Sequence, residues 1–305
     1  MADFYIQHEY GFAVFQLVLA MLGMGATLKL SDFNEIVREP YAVILGTLIQ
    51  LLLIPLLACV FIGLLSLPAG VAIGIALIAA IPGGTSSNIF THFAHGNVAL
   101  SISITAITTL ACLLTTPLIL EFLVASYMPD DFVMPTVQIM KEIFFNLLLP
   151  LGIGMLVLHY FPVFARHLSQ WCIRGSVLGL ILIFVGASLA GRLDVEAFGL
   201  LNVALVLSFV GLIVIVGWLA PRALGLSVAD SIAVEMEVVV RSVNLGIMLK
   251  VAMFPALIGE QLQLGNMALF SLLLYGAVQM LLGLVLIPMR RSGVSKSSTK
   301  IASSQ

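Results

Sequence analysis

Two glutamates, an arginine, a serine and an asparagine interrupt an otherwise apolar stretch, Ile232–Met248 (IAVEMEVVVRSVNLGIM): Glu235, Glu237, Arg241, Ser242 and Asn244. An ionised side chain held in hydrocarbon costs about 2.5–3.5 kcal/mol or more, so it persists where it lines a polar cavity or meets a partner. Far upstream, Pro82–Asn88 (PGGTSSN) forms a second polar interruption. Pro82 removes a backbone donor, and Gly83–Gly84 admit non-helical dihedrals. Thr85, Ser86 and Ser87 then offer N-caps for a new half-helix, whose open N–H groups and dipole suit an anion. Ser87 and Asn88 add side-chain oxygens of the kind a hard cation takes. The two interruptions are expected to meet and form a site for an ion and a substrate. The plain alternative for the first is a kinked packing helix.

Other polar residues sit within reach of these breaks. Ser101 and Thr105 are four apart and share a helix face; otherwise they bond to their own helix or join helices together. Gln50 lies inside GTLIQLLLIP, where a lone glutamine most simply makes an interhelical hydrogen bond. Glu237 and Arg241 are spaced for a helical ion pair, so a buried structural salt bridge competes with a functional role. The intervening Val238–Val239–Val240 forms helix only modestly well, which permits unwinding without requiring it. Glu235 points elsewhere on a helix and receives no role. His92 and His95 read as an interfacial helix end. The chain contains no HExxH, GxSxG or Walker pattern and no carboxylate pair set for hydrolysis, so it is not expected to be an enzyme.

The elements that hold these residues follow from composition. Of 305 residues, 61% are hydrophobic and 9% charged, with mean hydropathy +1.17 and net charge −2. A soluble domain carries about 25% charged residues. The deficit, with apolar runs from end to end, indicates an all-α polytopic membrane protein and offers nothing to nucleic acid. Cys59, Cys112 and Cys172 lack metal spacing or a CxxC and read as packing residues. The first ten residues lack Lys and Arg, which argues against a signal or transit peptide.

Nine spans are expected, near 10–30, 40–65, 69–94, 97–126, 134–160, 174–192, 197–220, 228–252 and 265–289, with the third and eighth interrupted. The longest connection falls at Phe161–Ile173, and a polar tail covers Arg290–Gln305. With the N-terminus outside, inside segments hold Lys29, Arg38, Arg166, Arg174, Arg222, Arg290, Arg291, Lys296 and Lys300. Outside segments hold Lys141, Arg192 and Lys250, together with Asp130 and Asp131. That bias places the N-terminus outside and the C-terminus in the cytoplasm. The interrupted spans then fall in corresponding places of two inverted repeats, residues 1–126 (break at 82–88) and 161–289 (break at 237–242). Segment 127–160 is unpaired and 290–305 is the tail.

Four segments carry a resemblance: Met21–Phe33 (MLGMGATLKLSDF), PGGTSSN with FTHFAHGNVALS up to Ser101, ITAITTL with TTP after it, and Glu237–Gly246 (EVVVRSVNLG). On these the chain resembles the bile acid:sodium symporter family, its bacterial members most closely. The resemblance implies two discontinuous helices crossing at mid-membrane, a panel and a core domain, and sodium-coupled symport of an organic anion by alternating access. Bacterial members usually have ten spans, and this chain resembles them without the first. A first sodium site maps onto Ser87, Asn88, Ser101, Thr105 and Glu237. A second maps onto Gln50, Glu237, the carbonyls near Val238 and Val240, and a glutamine at the position of Arg241. The family pattern there resembles EVGMQNSGL, so Arg241, Val239 and Ser242 depart from it.

A guanidinium has donors and no acceptor, and it would repel a neighbouring cation. Arg241 therefore either takes the second sodium position as a fixed charge or turns to bind a substrate carboxylate or sulfonate. Thr85, Ser86, Ser242 and Asn244 complete the expected substrate residues. No cofactor is expected besides co-transported sodium. The expected partners are the lipid bilayer and a small organic anion such as a bile acid, a keto acid, a pantoate-like acid or a sulfonate. The expected membrane is a bacterial inner membrane. The competing readings are a proton-coupled or uncoupled anion carrier, with Glu237 titrating, and a non-transporting signalling protein of the same fold.

Overall fold

A computed structural model describes residues 2–29, 31–32, 38–127, 133–254 and 259–302. Phe33, Asp130 and Asp131, and the side chains of Lys296 and Lys300, lie outside that description. Every regular element among the described residues is helical. In chain order they are α1 (Ala2–Gly25), α2 (Pro40–Leu65), α3 (Ala69–Ala80), α4 (Thr85–Phe93), α5 (Val98–Val124) and α6 (Thr136–Tyr160). Then come α7 (Pro162–Leu189), the short α8 (Val195–Phe198), α9 (Leu200–Ala223), α10 (Val228–Val239), α11 (Val243–Met253) and α12 (Gly259–Ala302).

Six of the described helices are long and apolar enough to cross a membrane: α2, α5, α6, α7, α9 and Gln261–Arg291 of α12. They present Leu64, Phe122, Leu200 and Leu201 to the outside, where a soluble fold would show charge. The half-helices α3 and α10 are enclosed instead. All of α3 after Ala69 is buried, as is Ser231–Val239 of α10. A helix buried on every side needs apolar residues on every side, and α3 (AGVAIGIALIAA) has them. In α10 the enclosed face includes Glu235 and Glu237.

The first break follows from its residues. A residue before proline avoids the α region. Ile81 is accordingly extended (φ −77, ψ 147), and α3 stops at Ala80. Helix α4 resumes at Thr85 with Gly84 as its N-cap and without a side-chain cap, so Thr85, Ser86 and Ser87 do not play the expected capping role. The second break has no proline or glycine. Helix α10 continues through Glu237 to Val239, and the break narrows from 237–242 to Val240–Ser242. Tertiary bonds hold it open. Gly84 N donates to Val240 O at 3.0 Å, Ser242 N donates to Pro82 O at 2.9 Å, and Gly83 and Arg241 form an antiparallel bridge. Each broken helix thus completes the backbone hydrogen bonding of the other, as a chain shielded from water requires.

Two helices contain a π-helical turn ahead of a proline: Ile49–Leu53 before Pro55 in α2, and Phe144–Leu148 before Pro150 in α6. The connection expected at Phe161–Ile173 is instead the first half of α7, with Pro162 at its first turn, where the missing donor costs nothing. The segment 290–302, expected as a tail, continues α12 as helix.

Packing divides the described helices into two groups. Helices α1, α6 and α7 pack on one another, with α1 also against α11, while α2–α5 and α9–α12 pack around the crossing. The first half of α6 also packs against α5 and α11. Its second half, Leu149–Tyr160, packs chiefly against α1 and α7. Beside that second half lies a cavity of about 1070 Å³, lined by Leu28, Lys29, Leu148, Ile153 and His159.

Candidate functional site

The crossing brings Glu237, in the last turn of α10, against the first turn of α4 and one face of α5. Ser87 Oγ lies within hydrogen-bond distance of Glu237 Oε1 and 2.6 Å from Gly84 O. Ser101 Oγ lies 2.6 Å from Glu237 Oε1 and 2.7 Å from Asn88 Oδ1. Thr105 Oγ1 lies 2.7 Å from Glu237 Oε1, 3.0 Å from Ser101 O and 3.4 Å from Asn88 Oδ1. Ser87, Ser101, Thr105 and Glu237 are fully buried. Each of the three hydroxyls has one proton and at least two acceptor oxygens in reach, so some of these short oxygen–oxygen separations have no proton between them. Glu237 also sits at the negative end of the α10 dipole, where an anion is disfavoured and a cation is favoured. The electrostatics and the donor set both suit a hard monovalent cation.

Glu237 Oε2 has no hydrogen-bond partner among the described residues, and neither do Gln50 Oε1, Gln50 Nε2 or Arg241 Nη1. Two of these atoms, Glu237 Oε2 and Gln50 Nε2, lie beside Gly83. A Cβ there would stand 2.1 Å from Glu237 Oε2 and 3.1 Å from Gln50 Nε2, so only glycine lets the carboxylate approach the bridge strand. Gln50 is carried by the π-helical turn of α2, a distortion often found at functional sites.

Arg241 does not form the helical ion pair that its spacing from Glu237 suits. The helix ends before it, and among the described residues no Arg241 nitrogen lies within 4.0 Å of a carboxylate oxygen; the described ion pairs involve Glu9 and Glu235. Its guanidinium turns to the C-terminal end of α3. Nε donates to Ile81 O at 2.9 Å, and Nη2 reaches Ile81 O at 2.6 Å, Ala79 O at 3.2 Å and Gln50 O at 3.4 Å. A fixed cation thus caps the negative end of a broken helix. The opposite, N-terminal ends of α4 and α11 meet at Gly84 and Ser242. There Thr85, Ser86 and Asn244 are half-buried and Ser242 is buried.

Reading the sequence alone missed four supporting residues. Gln279 of α12 accepts from Arg241 N at 2.8 Å and donates to Arg241 O at 3.1 Å, acting as a substitute strand for the unwound backbone. Tyr275 Oη donates to Val239 O at 2.8 Å, and Thr116 Oγ1 donates to Ala80 O at 2.9 Å, so both carbonyl ends of the broken helices are met by side chains. Thr91 Oγ1 reaches Ser101 Oγ at 3.3 Å. Gln279 and Tyr275 are polar residues inside an apolar run, the signal that singled out Gln50, and it could have found them. Replacing Gln279 with leucine leaves a buried donor and acceptor unmet, at about 2–4 kcal/mol. The expected result is a lower Tm in detergent; an unchanged Tm would show that the break holds itself open.

The family profile described as Sodium Bile acid symporter family matches residues 14–195. The chain belongs to this family. Its profile match covers α1 to α7, including the first break, and ends before the second. Among symporter-family relatives, the Bacillus subtilis protein named "Uncharacterized sodium-dependent transporter YocS" is 32% identical over 79% of this chain and 74% of its own length. The Arabidopsis thaliana protein named "Probable sodium/metabolite cotransporter BASS1, chloroplastic" is 33% identical over 76% of this chain and 57% of its own. The human ileal sodium/bile acid cotransporter is 28% identical over 60% of this chain and 51% of its own. The matched part is thus between half and three quarters of the length of these relatives. Membership in a symporter family, with six long apolar helices, makes the chain a multi-pass membrane transporter rather than an enzyme.

Glu235 is a separate matter. It is fully buried and held by Arg290, at 2.5 Å, and by Arg222, at 3.2 Å. It ties α10 to the C-terminal end of α9 and to Arg290 of α12, and makes no bond to the oxygen cluster among the described residues. His95 takes a left-handed conformation (φ 61) just beyond α4, in keeping with its reading as a helix end.

Proposed function

We propose that the protein is a secondary active transporter that couples one sodium ion to one small organic anion by alternating access. The observation that carries this reading is the buried cluster of Ser87, Asn88, Ser101, Thr105 and Glu237, whose oxygens outnumber the protons available to bridge them. We take it as the sodium site. At the former second site, around Gln50, Glu237 and the carbonyls of Val238 and Val240, the Arg241 guanidinium supplies a built-in positive charge. Its bonds to Ile81 and Ala79 support a fixed rather than a mobile role.

The substrate anion is assigned to the paired helix N-termini of α4 and α11, with Thr85, Ser86, Ser242 and Asn244 beside it and the Arg241 charge behind. Two partial positive dipole ends meeting at one point favour an anion there. The α1, α6 and α7 group is the panel and the remainder the core. The two groups touch where α11 meets α1 and where α5 and α11 meet the first half of α6, while its second half packs chiefly within its own group, which supports rigid-body motion of one against the other.

In this reading the spans number nine: α1, α2, α3 with α4, α5, α6, α7, α9, α10 with α11, and α12. Residues 1–126 and 161–289 are inverted repeats about the unpaired segment 127–160. The N-terminus lies outside a bacterial cell membrane and the C-terminus in the cytoplasm, following the bias of basic residues.

The test is uptake into proteoliposomes of taurocholate, 2-oxoisovalerate and pantoate, in sodium and in potassium. Uptake that requires an inward sodium gradient is the expected result. Uptake equal in potassium, rising instead with an inward proton gradient, would replace sodium with a proton.

A further inference from the structure

Away from the crossing, a second buried charged cluster lies on the seam between the two helix groups. Glu9 of α1, Arg192 just beyond α7 and Lys250 of α11 are all buried, at 5%, 8% and 2% exposure. Lys250 Nζ donates to Glu9 Oε1 at 3.0 Å, and Arg192 Nη1 donates to Glu9 Oε2. One carboxylate therefore serves two cations. Burying that many charges rarely stabilises a fold in net terms, since desolvation offsets the attraction. The partners are distributed unevenly. Glu9 and Arg192 both belong to the α1–α6–α7 group. Lys250 belongs to the other, and its stem lies along Gly265 of α12, where a Cβ would stand 3.1 Å from Lys250 Cε.

Motion of one group against the other therefore separates Glu9 from Lys250 while Arg192 leaves with Glu9. Beside the triad is a cavity of about 460 Å³, also lined by Gln7, Tyr10, Gln138, Glu142 and Gln261. Glu142, the other carboxylate there, is already engaged: Tyr10 Oη donates to it at 2.7 Å and Asn146 Nδ2 at 2.5 Å. The cavity is within the size range of small-molecule sites.

We propose that Lys250 is an anion-recognition residue at the Glu9 end of the transport path. When the seam is closed its counter-ion is Glu9. When the seam is open its counter-ion is the carboxylate or sulfonate of an entering small organic anion. Glu9 thus holds the place of the substrate and closes the seam behind it. This role rests on the alternating-access reading above.

The experiment separates the two. In a Cys59→Ala, Cys112→Ala, Cys172→Ala background, Ala252→Cys places a thiol on the cavity wall, where Ala252 is 6% exposed. Labelling by a membrane-impermeant thiol reagent added on the Glu9 side reads the seam without any need for transport. Glu9→Gln strands the charges of both Lys250 and Arg192 and is expected to raise the labelling rate about tenfold, as loss of a charged hydrogen bond across the seam warrants. Glu9→Gln with Lys250→Met removes the stranded charge on the far side of the seam, leaves Arg192 within the group that carries residue 9, and is expected to return labelling close to the parent rate.

Lys250→Met alone is expected to label like the parent. It should raise KM about tenfold for whichever of taurocholate and 2-oxoisovalerate the parent transports faster, with kcat little changed. Equal labelling in all variants, or an unchanged KM in Lys250→Met, overturns the proposal and leaves the triad as a structural staple. If the parent transports neither probe, the transport reading and the recognition role of Lys250 fall together, and labelling still decides whether the pair closes the seam.

Discussion

Glu237→Gln is expected to abolish sodium-dependent uptake. Among the residues assigned to the ion, Glu237 supplies the one carboxylate, and its Oε1 is the atom on which Ser87, Ser101 and Thr105 converge. Glutamine keeps the shape and one carbonyl oxygen but loses the charge. Removing one partner of a buried ion pair costs about 3–5 kcal/mol, so sodium affinity should fall at least a hundredfold. Folding should survive, because a neutral amide is easier to bury than a carboxylate, and Arg241 keeps its own carbonyl acceptors. The readout is the rise in Tm on adding sodium, measured against potassium at equal ionic strength, together with uptake. Glu237→Gln should show neither a sodium-induced rise nor sodium-driven uptake, with a Tm in potassium close to that of the parent. A sodium-induced rise as large as the parent's would mean that the ion binds elsewhere.

Arg241→Gln is expected to create a second sodium site. The guanidinium lies among the carbonyls of Ile81, Ala79 and Gln50, and Gln50 Oε1 and Glu237 Oε2 are buried without a hydrogen-bond partner among the described residues. Without the arginine these become oxygen ligands with no positive charge among them, and the new glutamine adds a carbonyl. In potassium the variant should be less stable by about 3–5 kcal/mol, since the end of α3 and Glu237 lose their fixed cation. Sodium should restore part of that stability and change the dependence of uptake on sodium from hyperbolic to sigmoidal. Two sodium ions with a monoanion move one net charge, worth about 2.3 kcal/mol per 100 mV, so uptake by the variant should respond to membrane potential. A hyperbolic, potential-insensitive variant would assign Arg241 to the substrate instead.

Much of this was legible in the residues. PGG announces a break because proline and glycine act on the backbone locally, and Ile81–Gly84 unwinds where they stand. Polar residues in apolar runs pointed to Gln50, Ser101, Thr105 and Glu237, because burying them without partners is costly. The second break was less legible. Nothing in VVVRSV forces unwinding, and it is held open by Pro82, Gly84 and Gln279, which are distant in sequence. The same long-range cause removes the helical ion pair that competed with a functional role for Arg241. Its i, i+4 spacing from Glu237 implies a pair only if the helix continues, and the helix stops at Val239. The charged triad of Glu9, Arg192 and Lys250 joins three segments whose charges look interfacial one at a time, and only packing shows that they share one carboxylate.

The most direct measurement is the ratio of sodium to organic anion entering the same proteoliposomes, counted with two radiolabels under an imposed sodium gradient. A single mobile cation beside a fixed guanidinium predicts one sodium per monoanion, with the ratio and the rate unchanged when the membrane potential is clamped at zero or made negative inside. Two sodium ions per monoanion, with uptake accelerated by a negative interior, would contradict it.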